Sequence, residues 1–509
     1  MKNNSLFWVL FVVSALFMNS CSQKSKDGIK FTIDPSKAIT NQFLGNGVQW
    51  SAYPHADSED AEWGLLMTDE RWQQVFDRLD FMQPRIVRVI DQANWRYLKG
   101  FDEKGNPVID YETPEMRSLE KLLGYCQENN IDVLFGEWGA PYQVHDTDAG
   151  YSGLITGADD EVWLNMIVDY LDYMVNERGY TCIKYYNLVN EPNGDWASTD
   201  GDWDEWSSGI KLLYKKLSEK GLSDQIQIAG PDAVAHYDHP ESEYSGVGWA
   251  LASMEQLNEQ IGLYDIHAYT DFELVKSGGF TDFYRPIAEK AGQLNKPVIF
   301  GELGFGRDSE ENQKRIEADP YTSGDSQMSV YDFSYGIDMA DALIQLMSVG
   351  YGGAVAWSLD DAMHTLGDKG EKDQLKRWGM WNILGTELHD NPEDEEIRPW
   401  FFTWSLMCRY FKPGMNIVSP EGSSAEGLRL VSGMDGEDIT IAVVNNSEFS
   451  RTVTLEMPWS DNFRLYRYED NNRKTNEQGF PVPEKDMELS GSVTMDVAPN
   501  SFQLLTTYN

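Results

Sequence analysis

Short apolar runs alternate with amphipathic segments along most of the chain, from Phe43 to Phe411. Apolar runs that end at glycine, proline, asparagine or an acidic residue are typical of buried strands. The strand-like runs lie at residues 43–49, 85–90, 131–136, 182–190, 225–230, 263–269, 297–301 and 353–358. Segments with helical period follow them at about 69–82, 114–129, 160–177, 204–220, 248–260, 281–294, 332–349 and 398–411. Eight strands that are each followed by a helix predict a closed parallel (β/α)8 barrel, the TIM barrel of the α/β class.

The pattern changes after Pro413, where short β-rich segments are separated by Gly, Asp and Asn. These segments lie at residues 427–432, 438–444, 451–457, 463–468, 491–496 and 501–507. Such spacing predicts a small antiparallel β-sandwich, to which residues 30–34 can add a strand. We therefore predict a catalytic barrel over residues 40–411 and a C-terminal β-sandwich over residues 412–509.

The first 21 residues have the pattern of a targeting signal. Lys2 supplies a positive charge, residues 6–18 form an apolar core, and Ser20-Cys21 resembles the cleavage site of a bacterial lipoprotein, in which Cys21 carries the lipid. The apolar core is shorter than the ~20 residues of a membrane-spanning helix. The alternative is an ordinary secretory peptide with an incidental cysteine. We predict a signal peptide over residues 1–21, a tether that can add a sandwich strand over residues 22–39, and an exported lipoprotein of a Gram-negative outer membrane or cell surface, facing outwards or towards the periplasm.

The composition narrows the range of partners. A formal net charge of −42 argues against nucleic acid, because phosphate neutralisation needs a basic face. The 17 tryptophans suit stacking on sugar rings, although many of them are expected in the core. The remaining cysteines, Cys126, Cys182 and Cys408, fit neither a disulfide framework nor a metal motif, and buried apolar roles are expected for them. We predict a carbohydrate partner, membrane contact only through the lipid anchor, and no metal or cofactor; the oligomeric state stays open.

Chemically active side chains occur at the predicted carboxyl ends of nearly all the barrel strands. In a barrel these ends converge on one cavity. The residues are Gln49, Trp50, Arg88, Asp91, Glu137, Trp138, Asn190, Glu191, Asp232, His267, Tyr269, Glu302 and Trp357. Two of them, Glu191 and Glu302, each follow an apolar run, where a buried carboxylate is costly unless the site uses it.

Several carboxylates compete for catalytic roles, and retaining sugar hydrolysis needs only two, ~5–5.5 Å apart, one protonated and one ionised. The competitors are Asp91, Glu137, Glu191, Asp232, Asp265, Glu302 and Asp360. Asn190 precedes Glu191 and can bond the sugar hydroxyl next to the anomeric carbon. Tyr269 can donate a hydrogen bond to Glu302, and Arg88 can keep Glu302 ionised. These neighbours favour Glu191 as the proton donor and Glu302 as the nucleophile.

The same residues resemble motifs of the retaining glycoside hydrolases of clan A. Asn190-Glu191-Pro192 resembles their acid/base motif at the end of strand four, and Gly301-Glu302-Leu303-Gly304 their nucleophile motif at the end of strand seven. The segment near the nucleophile is most similar to family 5, whereas the acid/base motif and the C-terminal sandwich look more like families 39, 30 and 51. The resemblance implies a retaining β-glycoside hydrolase that cleaves β-linked oligosaccharides or polysaccharides through a glycosyl-enzyme intermediate. The substrate-binding residues expected from the strand ends and from this resemblance are Arg88, Asn190, His267, Tyr269, Trp357, Glu137, Trp138 and Trp50.

Some alternatives stay open at this point. Many family 5 members carry a histidine where this chain has Glu137-Trp138, which leaves the role of Glu137 unassigned. Trp50, Trp95, Trp138 and Trp196 are candidate platforms for outer sugar subsites. A non-catalytic, carbohydrate-binding surface lipoprotein on the same barrel is the main alternative function. The long connections 303–331 and 359–397 are expected to be functional, either closing an exo-acting pocket or flanking an open cleft.

Overall fold

A computed structural model describes residues 28–40, 42–51, 53, 66–141, 155–363 and 374–508. The predicted signal peptide and Cys21 lie outside the described residues, so both stay predictions. Within the described ranges, no helix is both long enough and apolar enough to cross a membrane.

Eight parallel strands close into a barrel, as the alternation of apolar and amphipathic segments predicted. In chain order the barrel strands are Gly47–Gln49, Ile86–Asp91, Asp132–Glu137, Ile183–Asn187, Gln227–Val234, Ile261–Thr270, Val298–Phe305 and Ala354–Ala356. Each strand pairs with its neighbours in the chain, and the eighth pairs with the first. The predicted (β/α)8 barrel is therefore confirmed, and the strands are called first to eighth below.

Amphipathic helices surround the barrel. The α-helices of the described residues are Asp69–Met82, Ala93–Arg96, Pro114–Glu128, Glu161–Asp172, Trp203–Lys220, Gly246–Gln256, Phe272–Ser277, Gly279–Leu294, Glu310–Ala318, Phe333–Met347, Gly385–His389 and Phe401–Tyr410. Short 3-10 turns lie at Pro35–Lys37, Met328–Tyr331, Asp361–Met363 and Pro392–Glu395, and a π-helical turn at Tyr173–Glu177 extends the fourth helix.

Local sequence explains where these helices begin and end. Thr68 caps Asp69–Met82 and Asp202 caps Trp203–Lys220, each by accepting an N–H of the first turn. Gly221 ends the second of these helices with φ +79°, a left-handed conformation that glycine adopts without strain.

The two long connections predicted to be functional are partly helical and are paired with each other. The seventh strand extends to Phe305, so the first connection begins later than predicted. Ser323 N–H donates to the Leu375 carbonyl at 2.9 Å, and Leu375 N–H donates to the Tyr321 carbonyl at 2.9 Å. Gln327 N–H likewise donates to the Arg377 carbonyl at 2.9 Å. The two connections therefore form one joined structure beside the barrel mouth.

The C-terminal segment and two strands from residues 29–40 form a ten-stranded sheet. Its strands are Ile29–Thr32, Ala38–Thr40, Asn416–Val418, Glu421–Gly422, Leu428–Asp435, Asp438–Asn445, Arg451–Glu469, Asn472–Arg473, Lys485–Val497 and Ser501–Thr506. The long strand Arg451–Glu469 pairs with Ile29–Thr32 through its first part and with Ser501–Thr506 through its last part, on either side of a register shift. Val453 and Leu465, from these two parts, lie in one shared apolar core.

Two details of this sheet differ from the prediction. Ile29–Thr32 supplies the additional strand expected near residues 30–34, but it pairs in parallel with Arg451–Glu469, so the sheet is mixed rather than purely antiparallel. Ala38–Thr40 forms a second strand, at the other edge, against Asn416–Val418. The tether predicted over residues 22–39, with one optional strand, thus contributes to two strands of the sheet, the second of which ends at Thr40.

The sheet packs against two barrel helices, Phe333–Met347 and Phe401–Tyr410. The rings of Phe333 and Tyr468 stack with centroids 4.2 Å apart. The hydroxyl groups of Tyr410 and Tyr466 are hydrogen-bonded at 2.6 Å. Apolar side chains of the sheet and the barrel helices belong to one continuous core, which fixes the sheet on the barrel.

Candidate active site

The alternation of side chains along the barrel strands decides which residues reach the central cavity. The innermost apolar layer is formed by Ile86, Leu134, Ala229, Leu263, Ile299 and Val355. Side chains two or four residues further along a strand lie on the same face. Arg88 therefore follows Ile86 into the barrel, His267 follows Leu263, and Trp357 follows Val355.

Glu191 and Glu302 lie together at the barrel mouth, Glu191 beyond the end of the fourth strand and Glu302 within the second half of the seventh. His267 lies between them, with Nδ1 3.0 Å from Glu191 Oε1 and 3.6 Å from Glu302 Oε2. One oxygen of each carboxylate and a ring nitrogen of His267 all lie within 4.8 Å of one another. Glu191 is 9% exposed and Glu302 is 4% exposed, so both carboxylates are nearly withdrawn from solvent. Residues that are far apart in the sequence thus form one acidic pair.

Glu302 is held by a cation and a phenol. Arg88 Nη1 pairs with Glu302 Oε1, and the Tyr269 hydroxyl donates to Glu302 Oε2. Burial, together with the negative charge of Glu191, raises the pKa of Glu302 above its usual value, and the positive charges of His267 and Arg88 and the Tyr269 hydroxyl limit that rise. Both oxygens of Glu302 are therefore oriented by donors, which is suited to a carboxylate that must be ionised.

Asp232, at the end of the fifth strand, connects the two cationic side chains of the site. Its Oδ2 accepts from Arg88 Nη2 at 2.9 Å, and its Oδ1 lies 2.7 Å from His267 Nε2. Burial would raise the pKa of Asp232, but the charges of Arg88 and His267 lower it strongly. Burial would lower the pKa of His267, but the charges of Asp232 and Glu302 raise it well above its usual range. These charges favour the protonated imidazole, which can donate from both ring nitrogens.

Asp265 lies deeper in the barrel, beside Asp232. Burial and the negative charge of Asp232 raise the pKa of Asp265 well above its usual range, which favours the neutral carboxyl. A Cβ added at Gly301 would come 2.5 Å from Asp265 Oδ2. Gly301, which directly precedes Glu302 on the seventh strand, therefore leaves the space that the Asp265 carboxyl of the sixth strand occupies.

Glu191 stands in a tight turn beyond the fourth strand, which ends at Asn187 rather than at residue 190. Glu191 has φ +50°, and its carbonyl accepts from Gly194 N–H at 2.8 Å. The Asn193 side chain fixes the turn to the end of the fifth strand, accepting from Val234 N–H at 2.9 Å. A non-glycine residue in the left-handed region is strained unless its surroundings hold it there, and such strain is typical of functional sites.

An aromatic wall lines the site beside Glu302. Trp357 and Trp378 are 8% and 3% exposed, and they form one cluster with Ile90, against which Trp138 and Tyr269 pack. The Trp378 ring meets the Tyr269 ring edge to face at a centroid distance of 5.5 Å. The peptide bond from Trp357 to Ser358 is cis. Trp357 and Trp138 thus occupy the positions predicted for them at the barrel mouth.

Two predicted binding residues lie outside the cavity. Trp50 is fully buried and contacts Trp72 and Tyr125 in the layer between barrel and helices. Its neighbour Gln49 faces inwards instead, with Oε1 3.4 Å from Arg88 Nη1. Because adjacent strand residues point to opposite faces, Gln49 and Trp50 cannot both line the site. The predicted sugar-binding role of Trp50 is wrong for this reason.

Glu137 faces away from the cavity because side chains alternate along its strand in the same way. It lies three residues after the inward-facing Leu134, and its Oε2 accepts from Ala93 N–H at 3.1 Å in the outer layer. The Tyr186 hydroxyl lies 3.4 Å from its Oε1. Burial and the nearby charge of Asp91 raise the pKa of Glu137 to about 8. The expected contact of Glu137 with substrate is therefore corrected to a structural role between barrel and helices.

The sequence reasoning missed two members of the site. Asp232 was visible at the fifth strand end but had no assigned role, because only the fold shows that it joins Arg88 to His267. Trp378 lies within the second long connection, where no strand periodicity marks it. Its indole N–H donates to the Asp325 carbonyl of the first connection at 2.6 Å, so its position depends on the pairing of the two connections.

The arrangement of charges favours hydrogen bonding over metal binding. Among the described residues, two groups bring ligand atoms within 4.8 Å of one another: Glu191, His267 and Glu302, and Asp232, Asp265 and His267. Both groups share His267, which already uses both ring nitrogens towards carboxylates. Arg88 contributes a further positive charge to Glu302 and Asp232. A bound cation would face two cationic side chains, so these donors do not fit a metal centre well.

Several solved structures share this fold. A glycoside hydrolase family 30 subfamily 8 xylanase from Clostridium acetobutylicum aligns with a TM-score of 0.58 at 12% identity, over 94% of this chain and 99% of that chain. A conserved exported protein from Bacteroides fragilis aligns with a TM-score of 0.66 at 13% identity, over 94% and 99%. A family 39 β-xylosidase from Caulobacter crescentus gives 0.59 at 12% identity, over 94% and 100%.

At sequence identities this low, the similarity is evidence of a shared fold only. In sequence, no protein-family model and no curated protein matches the chain. Families 30 and 39, which the Asn190-Glu191-Pro192 motif resembles, are thus represented among the structural neighbours. The fold expected from the resemblance is confirmed along nearly the whole length of the chain.

Proposed function

We propose that the protein is a retaining β-glycoside hydrolase in which Glu302 is the nucleophile and Glu191 the general acid and base. The observation that carries this proposal is the approach of the two carboxylates, which have oxygens within 4.8 Å of each other. Retaining enzymes hold their carboxylates ~5–5.5 Å apart, whereas inverting enzymes need ~6.5–9.5 Å to admit a water molecule. The separation therefore supports double displacement.

In the first step, an oxygen of Glu302 forms a bond to the anomeric carbon while the glycosidic C–O bond breaks. Glu191 transfers its proton to the departing oxygen, so the leaving group departs as a neutral alcohol. In the second step, Glu191 removes a proton from water, the water oxygen attacks the anomeric carbon, and Glu302 is released as a carboxylate.

The environments of the two carboxylates match these different tasks. Arg88 and Tyr269 direct donors at both oxygens of Glu302, which favours the ionised nucleophile and stabilises it again as it leaves. Glu191 has contacts with His267 and with Trp196, which lies on a surface loop. The nucleophile is therefore fixed from the barrel wall, whereas the proton donor lies at the open side of the site.

Asn190 is suited to recognise the sugar that reacts. Its carbonyl oxygen accepts from Arg88 Nη2 at 2.8 Å, which directs the amide N–H groups away from Arg88. A donor at this position can bond the hydroxyl next to the anomeric carbon, an interaction that strengthens in the transition state. Trp357 provides the apolar face on which the same sugar stacks.

The nucleophile is tested with Glu302→Ala on activated aryl β-glycosides. Turnover should fall by at least about 10³-fold, and azide should restore part of it by forming a glycosyl azide. Glu311→Ala, an exposed acid on the helix Glu310–Ala318, is the matched control and should keep full turnover. Near wild-type turnover of Glu302→Ala without azide would refute the assignment.

The acid/base is tested by leaving-group dependence. Glu191→Ala should lose about 10²–10⁴-fold on substrates with poor leaving groups, because these need a proton. Activated aryl leaving groups depart without protonation, so the first step with them should be largely retained. An equal loss on both substrate types would contradict the role of Glu191.

The substrate class is best sought among β-linked glycans. Two of the neighbours described above are a xylanase and a β-xylosidase, so β-1,4-xylo-oligosaccharides are the first substrates to test. Glucan, mannan and galactan oligosaccharides complete the panel, and product lengths distinguish exo from endo action. Tight binding without turnover across the panel would favour the alternative of a carbohydrate-binding protein.

A further inference from the structure

A buried cluster of two arginines and two aspartates contacts the aromatic wall of the site. Its members, Asp361, Arg377, Asp394 and Arg398, are between 0% and 7% exposed. Each arginine pairs with both aspartates. Because desolvation offsets most of the attraction in a buried ion pair, such a cluster is weak evidence of stabilisation by itself. The proposed mechanism uses none of the four residues, so we ask what the cluster holds in place.

The cluster binds the backbone of the segment that carries Trp378. Asp361 Oδ1 accepts the N–H of Trp378 at 2.9 Å and the N–H of Gly379 at 2.7 Å. Arg398 Nη1 donates to the Gly379 carbonyl at 2.7 Å. A Cβ added at Gly379 would come 2.7 Å from the backbone nitrogen of Asp361, so glycine is what allows the two segments to approach so closely. Buried charged groups therefore fix the backbone of Trp378 and Gly379.

The Trp378 ring in turn packs against the residue that orients the nucleophile. It meets the Tyr269 ring edge to face at a centroid distance of 5.5 Å, and the Tyr269 hydroxyl donates to Glu302 Oε2. A Cβ added at Gly304 would come 3.0 Å from Cε1 of Tyr269 and 3.3 Å from Cζ3 of Trp378. Both rings therefore lie against the seventh strand, with little space to move between it and the bound backbone.

We infer that Asp361 is a positioning residue of the active site, which fixes the Trp378 backbone and thereby keeps the Tyr269 hydroxyl on Glu302. A hydrogen bond weakens steeply when its geometry is disturbed, and a small misplacement of a reacting group can cost much of the rate. Asp361 is fully buried, so it acts through Trp378 and Tyr269 rather than by contact with the sugar. The inference rests on the proposed function, in which Glu302 attacks the anomeric carbon.

The other aspartate of the cluster provides a matched control. Asp394 pairs with the same two arginines, but its further hydrogen bonds come from the Tyr331 hydroxyl at 2.8 Å and from Asn382 Nδ2 at 2.9 Å. Asp361→Ala and Asp394→Ala should therefore lower Tm by similar amounts, because each leaves the arginines with one acid fewer.

The two variants should differ in activity when both are assayed well below their Tm. On activated aryl β-glycosides, Asp361→Ala should lower kcat/KM by about 10–10²-fold, because the bond from Tyr269 to Glu302 loses its support. Asp394→Ala should keep kcat/KM close to the wild-type value. Wild-type kcat/KM in Asp361→Ala, or an equal loss in both variants, would overturn the inference.

A double-mutant cycle tests whether Asp361 acts through the phenol. In a Tyr269→Phe background the hydroxyl is already absent, so Asp361→Ala should cost much less activity there than in the wild-type background. Gly379→Ala leaves all four charged residues in place and crowds the same segment, and it replaces Asp361→Ala in the cycle if that variant does not fold. Equal losses of kcat/KM in the two backgrounds would overturn the inference.

Hydrogen exchange supplies a readout that does not depend on turnover. The peptide that contains the Trp378 and Gly379 amides should exchange faster in Asp361→Ala than in Asp394→Ala, because these amides lose their acceptor only in the first variant. Equal exchange in the two variants would refute the anchoring by Asp361. Near wild-type turnover of Glu302→Ala, with the difference in exchange intact, would instead refute the proposed function.

Discussion

Replacing Glu137 with glutamine should stabilise the protein increasingly as the pH rises. Glu137 is 2% exposed in the layer between barrel and helices, and burial together with the charge of Asp91 raises its pKa to about 8 from an ordinary value of 4.5. Between these two pH values the folded protein keeps a proton that the unfolded chain has released. A group with a raised carboxyl pKa therefore makes the folded state less stable as the pH increases.

The size of the effect follows from the two pKa values. One pH unit of difference corresponds to about 1.4 kcal/mol, so the loss grows from about 1 kcal/mol at pH 5 to about 5 kcal/mol at pH 9. Glu137→Gln removes this loss because the amide stays neutral and can keep the contacts with Ala93 and Tyr186. Relative to wild type, the variant should gain about 4 kcal/mol between pH 5 and pH 9.

Thermal unfolding at a series of pH values measures this gain. For a chain of this length, 1 kcal/mol corresponds to roughly 1 °C in Tm, so the difference in Tm should grow by about 4 °C over the series. Glu103→Gln, at an exposed acid in the turn between Leu98–Phe101 and Pro107–Ile109, controls for the general loss of one negative charge. Parallel Tm curves for wild type and Glu137→Gln would refute the assignment of Glu137 as a protonated structural acid.

Three further variants test how the site is held. Tyr269→Phe should lower kcat by about 10–10²-fold with little change in Tm, because one donor to the nucleophile is lost; an unchanged kcat would exclude a role for the phenol. Gly301→Ala should destabilise the fold by about 1–3 kcal/mol, since its methyl group would displace Asp265. Gly292→Ala, the control on an exposed helical position with open space, should be neutral or stabilising. Equal Tm values for the two variants would contradict the close approach of Gly301 to Asp265. Arg398→Met should lower the free energy of unfolding by about 3–5 kcal/mol, because the buried acids of the second long connection then have one cationic partner fewer. Denaturant unfolding measures this loss, and a smaller loss than for replacement of an exposed arginine would contradict the prediction.

The barrel was predictable because its strands are buried on both faces and therefore appear as continuous apolar runs. The connections between strand and helix interrupt these runs with glycine, proline and capping residues such as Thr68 and Asp202. The expected pair, Glu191 and Glu302, is adjacent in the fold because the carboxyl ends of parallel strands meet, whatever the separation of their residues in the sequence.

The side on which each strand residue lies was not predictable to the same degree. A run that is apolar on both faces carries no period-two signal, so Trp50 and Glu137 could not be separated from the inward-facing Gln49 and Arg88. Irregular pairing adds to this difficulty, because the register shifts between Ile266 and His267 beside the seventh strand. The side of the barrel wall on which each of these side chains lies was therefore determined only by the pairing of the strands in three dimensions.

The positions of loop residues in the site were also difficult to predict from the sequence. Trp378 reaches the site through pairing between two long connections, and Trp196 through a turn that needs glycine at position 194. Both are set by tertiary contacts that have no counterpart in local sequence propensity. Trp196 was already a candidate sugar platform in the sequence, but its contact with Glu191, like that of Trp378 with Asp325, is visible only in the hydrogen bonds of the indole N–H groups.

The central claim is that Glu302 forms a covalent bond to the sugar, and a trapping experiment tests it most directly. An activated 2-deoxy-2-fluoro β-glycoside of the preferred sugar slows the second step, so the glycosyl-enzyme accumulates. Digestion and mass spectrometry should then find the fluorosugar on the peptide that contains Glu302, with one sugar per protein chain. An adduct on another carboxylate, or turnover with inversion of the anomeric centre and no adduct, would contradict the account.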